Sequence, residues 1–300
     1  MRNLLFILAV LFTASFSNAQ DYFDLFKYSY NYADLGNIDP ETEVDTEVSN
    51  TNIEFYFPYP ISAKTTIIGG FTYENTRLGL QYNADRSNLI MTRLNLGVKQ
   101  DHGNKWSGTY VFLPKFASDF VGSLDTPDLQ LGGLALFEKR YSSSYSLKFG
   151  SYVSTEQFGT TITPLVGLWY KSENDKFYIN ATLPIRTDVN YNFTEDFSLG
   201  ANLVTSIKAY NLQETDSQFY VQEESIRFGL YAAYAFFDNT MILRGKVGYD
   251  TTDYGLYNQG DTVGAQILTF QVSGDDRTRL NTEFDSSIFF GLDLIWRTDL

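Results

Sequence analysis

The sequence predicts an all-β protein, a closed antiparallel transmembrane β-barrel of about 12–14 strands. Apolar and polar residues alternate along most of the chain, and helical spacing is almost absent. Short polar turns also alternate with longer acidic links, as in barrels with short periplasmic turns and longer extracellular loops. No linker or change of composition divides the chain after its N-terminal segment, so we expect a single barrel domain over residues 20–300.

The last strand shows the alternation most clearly. From residue 288 to residue 300 every second residue is apolar or a hydroxyl, whereas the residues between them include Asp293 and Arg297. Strands of this type, about 10 residues long, match a tilted membrane-spanning strand. Fourteen such strands are predicted to begin near Leu25, Asn52, Lys64, Leu89, Lys105, Leu129, Ser144, Thr160, Lys176, Asp188, Phe197, Tyr220, Thr240 and Ser286.

Two features leave twelve strands as a rival count. The strand over residues 188–193 is short, and the first three strands are weakly patterned. Residues 264–272 are predicted to form a hairpin arm within the last large loop rather than a strand of the wall. An even number brings both ends of the barrel to the same side of the membrane.

A soluble exported β-protein is the alternative to a membrane barrel. Its apolar face would cover a core, and its other face would carry many charges. Here the non-apolar face holds mainly Gly, Asn, Ser, Tyr and Thr, which suits a crowded polar lumen. Aromatic residues such as Phe57, Tyr170 and Trp296 recur near strand ends, as the interface girdles of a barrel require. Both patterns favour the membrane barrel.

The composition excludes several other classes. The 300 residues include no Cys and one His, which excludes thiol nucleophiles, Cys-ligated metals and multi-His sites. A formal charge of −14 argues against a nucleic-acid partner, because such proteins present a basic face. An apolar content of 43% is too high for an intrinsically disordered chain.

The N-terminus predicts export. Arg2 precedes an apolar run over residues 4–12, and the small residues Ser17 and Ala19 stand at the −3 and −1 positions of a cleavage site. Residues 1–19 therefore read as a signal peptide that is cleaved after Ala19. Together with the strand pattern, this predicts localisation in the outer membrane of a Gram-negative envelope, in contact with lipid and lipopolysaccharide.

Three short motifs resemble a known family. They are Leu113-Pro114 with Ser118-Asp119, the segment 163–168, and Leu183-Pro184 with Tyr191. On these motifs, the chain from Thr92 to Leu203 resembles an uncharacterised outer-membrane family, domain of unknown function 6268. The resemblance implies an outer-membrane barrel and supplies no activity.

The C-terminal strand resembles a recognition signal. Residues 286–300 are similar to the strand that the barrel assembly machinery reads in Gram-negative bacteria, which makes that machinery an expected partner. Leu300 departs from the usual final Phe or Trp.

The sequence does not predict an enzyme. His102 is the only imidazole and lies in a tight turn, and no phosphate-binding loop, nucleophile elbow or His pair occurs. We therefore expect neither catalytic residues nor a cofactor. One acidic stretch allows a divalent-cation site, alone or bridging to lipopolysaccharide phosphates, and its alternative is a solvated loop. The candidate ligands are Glu41, Glu43, Asp45 and Glu47.

Charges of the inward-facing phase are mainly basic. Four inward acids are expected, at Glu54, Glu74, Glu138 and Asp293, which leaves an excess of about seven positive charges and favours anions in the lumen. The alternative is that the bases pair with inward and loop carboxylates and close the interior. The expected lumen-lining bases are Arg93, Lys115, Lys148, Arg186, Arg227, Arg244, Lys246 and Arg297, together with Lys27, Lys99 and Lys208.

Three functions follow from these observations. The first is a passive channel or uptake pore for small solutes, including anions. The second is a non-conducting structural or surface-interaction barrel, which bulky inward residues such as Tyr56, Tyr152 and Tyr178 would suit by narrowing the bore. The third is a transporter of hydrophobic molecules, which requires the segment at 23–26 to plug the lumen.

Overall fold

The computed structural model describes residues 22–35, 47–80, 86–213, 218–267, 270–275 and 277–299. The predicted signal peptide and its cleavage site lie outside the described residues. Leu300 and the candidate ligands Glu41, Glu43 and Asp45 also lie outside them. Among the described residues, no helix is both long enough and apolar enough to cross a membrane.

The described residues form seventeen strands and one short 3₁₀ turn at Thr126–Asp128. The strands are β1 (Tyr22–Asp34), β2 (Glu47–Ser62), β3 (Thr65–Gly79), β4 (Arg86–Gly103), β5 (Trp106–Ser118), β6 (Leu129–Arg140), β7 (Tyr145–Glu156), β8 (Gly159–Lys171), β9 (Phe177–Leu183), β10 (Arg186–Asn192), β11 (Phe197–Leu212), β12 (Phe219–Phe236), β13 (Met241–Asp250), β14 (Asp253–Asn258), β15 (Val263–Ile267), β16 (Phe270–Asp275) and β17 (Ser287–Asp299).

Fourteen of these strands close into a barrel, which confirms the predicted fold class and the higher of the two strand counts. Strands β1 to β13 pair antiparallel in sequence order, and β17 pairs with both β13 and β1. The remaining strands, β14 to β16, belong to the long connection between β13 and β17. Within it β15 and β16 pair with each other, as predicted for the hairpin arm at 264–272.

The two ends of the barrel differ in their connections. One end carries the short turns, and Tyr22 and Asp299 lie beside each other there. The long connections leave from the opposite end, which we call the long-loop end. Two of its connections, at 157–158 and 184–185, are nevertheless as short as turns, contrary to expectation.

The outer face of the wall is apolar. Large side chains of the outward phase are exposed, among them Leu96 at 48%, Phe112 at 50% and Val166 at 63%. A water-soluble domain buries such side chains, and exposed apolar patches mark a surface that contacts another apolar phase. An apolar band around a closed barrel is the arrangement that faces lipid.

Two inward-facing glycines fit the wall where neighbouring strands approach closely. A Cβ atom on Gly150 would lie 2.1 Å from the carbonyl oxygen of Ala135, and one on Gly167 would lie 2.1 Å from that of Ala181. Real Cβ atoms are not found so close to a carbonyl oxygen, so only glycine is accommodated at these positions.

At the β9–β10 hairpin the strands are short, and the barrel wall ends early on the long-loop side. Strands β9 and β10 have 7 residues each, whereas their neighbours β8 and β11 have 13 and 16. Residues 159–165 of β8 and 206–212 of β11 therefore extend past the short hairpin and do not pair with it. Gln266 of β15 reaches into this notch and pairs with Thr161 of β8.

Beside the notch, part of the wall folds into the lumen. Asn211 of β11 pairs with Ser118 of β5, and the Asp119 N–H donates to the Asn211 carbonyl at 3.1 Å. Strands β5 and β11 are six strands apart around the ring, so this contact crosses the barrel. We call the segments involved the inner flap: residues 205–212 of β11, residues 219–226 of β12, and β14, which pairs with β12.

Candidate functional site

The lumen is closed near the long-loop end by an apolar cluster. Inward side chains of the flap, such as Tyr210 and Leu212, belong to one buried cluster with wall residues such as Leu89 and Met91. Burial of this much apolar surface across the lumen stabilises the folded-in position of the flap. Its buried members are Ala33, Leu35, Val48, Leu78, Leu80, Leu89, Met91, Ala117, Tyr210, Leu212, Val221, Tyr254, Leu256 and Phe289.

Below this cluster, ion pairs span the lumen. Lys208 Nζ of β11 lies 2.5 Å from Glu74 Oε1 of β3 and 3.1 Å from Glu223 Oε1 of β12. Arg186 of β10 lies 3.5 Å from Glu54 of β2. The pairs Lys208–Glu74 and Arg186–Glu54 cross the lumen, because in each pair the two strands are six positions apart around the ring. Side chains on opposite walls of a fourteen-stranded barrel can meet only where the lumen is narrow. The lumen is therefore narrow at the heights of Lys208 and Arg186.

The other expected lumen-lining bases also have polar partners. Ion pairs join Lys115 to Glu156 at 2.6 Å, Arg227 to Asp250 at 2.8 Å, Arg244 to Asp188 at 3.0 Å, Lys246 to Asp293 at 2.6 Å, Lys27 to Asp293 at 3.6 Å and Arg297 to Asp24 at 2.6 Å. Lys148 donates to Asn180 at 2.8 Å, and Arg93 lies 3.4 Å from the Thr72 hydroxyl. Paired bases attract free anions much less than unpaired ones.

Sequence reasoning missed five inward carboxylates, which lower the expected excess of positive charge in the lumen. Asp24 was hidden because a bulge between Asp24 and Phe26 shifts the alternation of β1. Glu156 and Asp250 are the last residues of β7 and β13 and face inward. Both strands are longer than the sequence pattern indicates. Asp188 and Glu223 already lie in phase with known inward positions, and a strict count would have found them.

The remaining candidates lie away from the lumen network. Glu47 begins β2 and accepts a hydrogen bond from the Tyr32 hydroxyl at 2.9 Å. Over the ranges that the structure covers, no three carboxylate or imidazole groups are grouped to hold a metal ion. His102 is exposed near a short turn, and its Nε2 lies 3.1 Å from the Tyr110 hydroxyl.

The short-turn end holds a polar cavity of about 330 Å³. We call it the mouth cavity. Rings of Tyr22, Trp169 and Tyr178 line it, and Tyr22 and Tyr178 contact each other with centroids 5.6 Å apart. Polar lining comes from Lys171, Asp175, Asn190, Asn192, Glu195, Asp196, Arg244 and Arg297.

The two arginines of the mouth cavity are held rigidly. Arg297 contacts Asp24 through two nitrogens, at 2.6 and 3.3 Å, and its guanidinium lies 3.6 Å from the centre of the Tyr22 ring. Arg244 is held by Asp188 and lies 3.9 Å from the centre of the Tyr231 ring. Ring stacking fixes the orientation of both side chains, and bidentate pairing adds to it for Arg297.

The N-terminal segment does not plug the lumen. Phe23 pairs with Thr298 and Phe26 with Trp296, so the segment is part of a wall strand. The condition set for a transporter of hydrophobic molecules is therefore not met.

Comparisons with known proteins give one family match. The model of a domain of unknown function (DUF6268) matches residues 79–254. No curated protein sequence matches the chain.

Several solved structures are similar to the chain. A TodX monoaromatic hydrocarbon channel mutant is 11% identical with a TM-score of 0.38, and the match covers 93% of this chain and 90% of that one. The NanC porin is 8% identical with a TM-score of 0.36, covering 90% and 98%. OccK7 (OpdD) of Pseudomonas aeruginosa is 11% identical with a TM-score of 0.29, covering 92% and 97%. At these values, the fold assignment rests on the strand pairing of the chain itself.

Proposed function

The chain belongs to the DUF6268 family, and we propose that it is a gated outer-membrane channel whose lumen is closed at the long-loop end by the inner flap. The observation that carries the proposal is the contact between Asn211 and Ser118, which joins opposite walls of the barrel. Solutes would pass only when this contact and the apolar cluster above the ion pairs separate. The proposal includes export, with cleavage after Ala19, and it requires no enzymatic step.

The burial of inward polar groups supports a closed state. Thr72, Asn95 and Asp293 lie on inward faces, yet each is at most 3% exposed. A water-filled pore of the porin type exposes the groups that line it. A passive, permanently open channel is therefore less well supported than a gated one. Selectivity for anions is not part of the proposal, because inward carboxylates pair with most of the bases that would confer it.

A disulfide across the lumen tests the proposal, since the natural chain contains no Cys. The variant S118C/N211C places thiols at backbone partners of β5 and β11. We expect the reduced variant, like the wild type, to show intermittent conductance in planar bilayers. Oxidation should abolish the openings, and a reductant should restore them, because the bond prevents the flap from moving.

A second cysteine pair provides the control. Ser206 and Ser225 are partners on adjacent strands within the flap, so S206C/S225C crosslinks β11 to β12 without joining opposite sides of the barrel. Its openings should be unchanged by oxidation. A wild type that is continuously open, or an oxidised S118C/N211C variant that conducts as well as the reduced one, would contradict the proposal. Absence of conductance in every form would favour a non-conducting structural barrel instead.

A further inference from the structure

The mouth cavity resembles a small-molecule binding site in its volume and in the residues that line it. Its volume of about 330 Å³ is at the lower end of the range for such sites, and three aromatic rings stand beside amide and charged groups. The turn residues Asp175, Glu195 and Asp196 that border it are exposed, so the cavity is accessible from the short-turn end. A ligand can enter it without any movement of the inner flap.

Two hydrogen-bond donors at this cavity lack acceptors. The indole Nε1 of Trp169 and the Nε of Arg244 are buried and have no hydrogen-bond partner within the part of the chain that the structure describes. Both side chains line the cavity, and both residues are less than 5% exposed. A buried donor without an acceptor is costly, and a ligand that supplies oxygen acceptors relieves that cost. The two donors therefore argue against a purely hydrocarbon ligand and against a simple cation.

The charges of the cavity argue against an anion. Its three basic side chains are each within 3.0 Å of a carboxylate: Lys171 with Asp175, Arg244 with Asp188, and Arg297 with Asp24. Glu195 and Asp196 add further carboxylates to the lining. A free phosphate or carboxylate would meet this acidic set at close range, and like charges repel each other.

We propose that the mouth cavity binds a small neutral saccharide. The hydroxyl oxygens of a sugar can accept from Trp169 and Arg244, and its hydroxyl protons can be donated to the amides and carboxylates of the rim. Its carbon-bound hydrogens form apolar patches that suit the rings of Tyr22 and Tyr178. The site extends the proposed function and does not depend on it, because binding is measured without passage through the barrel.

Fluorescence of Trp169 provides the test. The chain has three Trp residues, and the other two, Trp106 and Trp296, lie on the outward phase of the wall. In detergent, the variant W106F/W296F should show a saturable change in emission with glucose, N-acetylglucosamine, maltose or chitobiose. Inorganic phosphate, benzoate and toluene should produce none. Calorimetric titration of the wild type with the same compounds gives an independent readout if the emission of Trp169 is insensitive.

A matched pair of tyrosine variants locates the binding. Tyr178 lines the cavity, whereas Tyr170 on the adjacent strand points outward and is exposed. The change Y178L should weaken saccharide binding about tenfold, and Y170L should leave it unchanged. Should Y178L fail to fold, N192A at the rim of the cavity replaces it, with the same expectation. Saccharide binding that is absent by both methods, equalled by phosphate or benzoate, or weakened equally by Y170L would overturn the proposal.

Discussion

Lys208 and Glu74 form an ion pair of 2.5 Å between strands on opposite sides of the barrel. Glu223 holds the same ammonium group from the next strand, at 3.1 Å. The pair fixes the width of the lumen at this level, directly below the apolar cluster of the inner flap. It therefore couples the position of the flap to the far wall.

Removing the lysine should destabilise the barrel strongly. The change K208M leaves Glu74 and Glu223 buried without their cation, which costs about 3–5 kcal/mol when one partner of a buried pair is removed. Urea unfolding in detergent, followed by tryptophan fluorescence and gel mobility, measures the loss. The pair Lys171–Asp175, in which Lys171 is half-buried and Asp175 exposed, provides the control, and K171M should cost less than about 1 kcal/mol. Equal effects of the two changes would show that the cross-lumen pair has no special role.

Truncation within the apolar cluster should favour opening. Leu212 is 4% exposed among the flap residues, and L212A removes packing worth about 2–5 kcal/mol. Because this packing exists only in the closed state, we expect more frequent openings in planar bilayers. The control is L131A on the outer face, where Leu131 is exposed. An unchanged opening frequency for L212A would show that the apolar cluster does not control opening of the channel.

Two glycines should respond differently to a methyl group. At Gly167 a Cβ atom would collide with the Ala181 carbonyl oxygen, so G167A should destabilise the barrel by about 1–3 kcal/mol. Gly245 has no atom within 4 Å of its Cβ position, and G245A should be neutral or slightly stabilising. Thermal unfolding of both variants, read from the loss of β-sheet circular dichroism, measures the difference. A neutral G167A would mean that β8 and β9 can separate more easily than their register implies.

A charge on the apolar band should hinder insertion. Leu96 lies near the middle of β4 and faces outward, so L96R should cost about 2–4 kcal/mol when the chain folds into lipid vesicles. The control, S142R, lies in an exposed short turn and should insert as well as the wild type. Folding yields in vesicles, read from heat-modifiable gel mobility, compare the two variants. Equal yields would contradict the lipid-facing assignment of this surface.

Alternation in the sequence predicted the wall of the barrel well, because each wall residue has only two environments. The period of two assigns Leu96 to lipid and Asn95 to the lumen without knowledge of any partner strand. The same signal predicted fourteen strand starts and set residues 264–272 apart from the wall. Lys115, Arg244 and Lys246 were likewise assigned to the interior by phase alone.

What lies inside the lumen depends on contacts that no local pattern encodes. Ile207 and Ala209 share the outward phase of β11, yet both are buried in a cluster with Phe158 and Val263. Their strand leaves the wall beyond the end of the adjacent, shorter β9–β10 hairpin. The mouth cavity, too, gathers Tyr22, Trp169 and Arg244 from strands that are distant in sequence. Proximity of this kind follows from ring closure and could not be predicted from spacing.

The partnership of β17 with both β1 and β13 has a consequence for biogenesis. Until the last strand is in place, the sheet has two open edges with unpaired backbone groups, which are unfavourable in lipid. Strand β17 thus joins β1, the first strand of the wall to be synthesised, to β13, the last wall strand before β17 itself. A chain that ends before residue 287 can form every other strand pair of the wall and still remain an open, curled sheet. Closure of the ring therefore depends on one segment, the one that resembles the assembly signal.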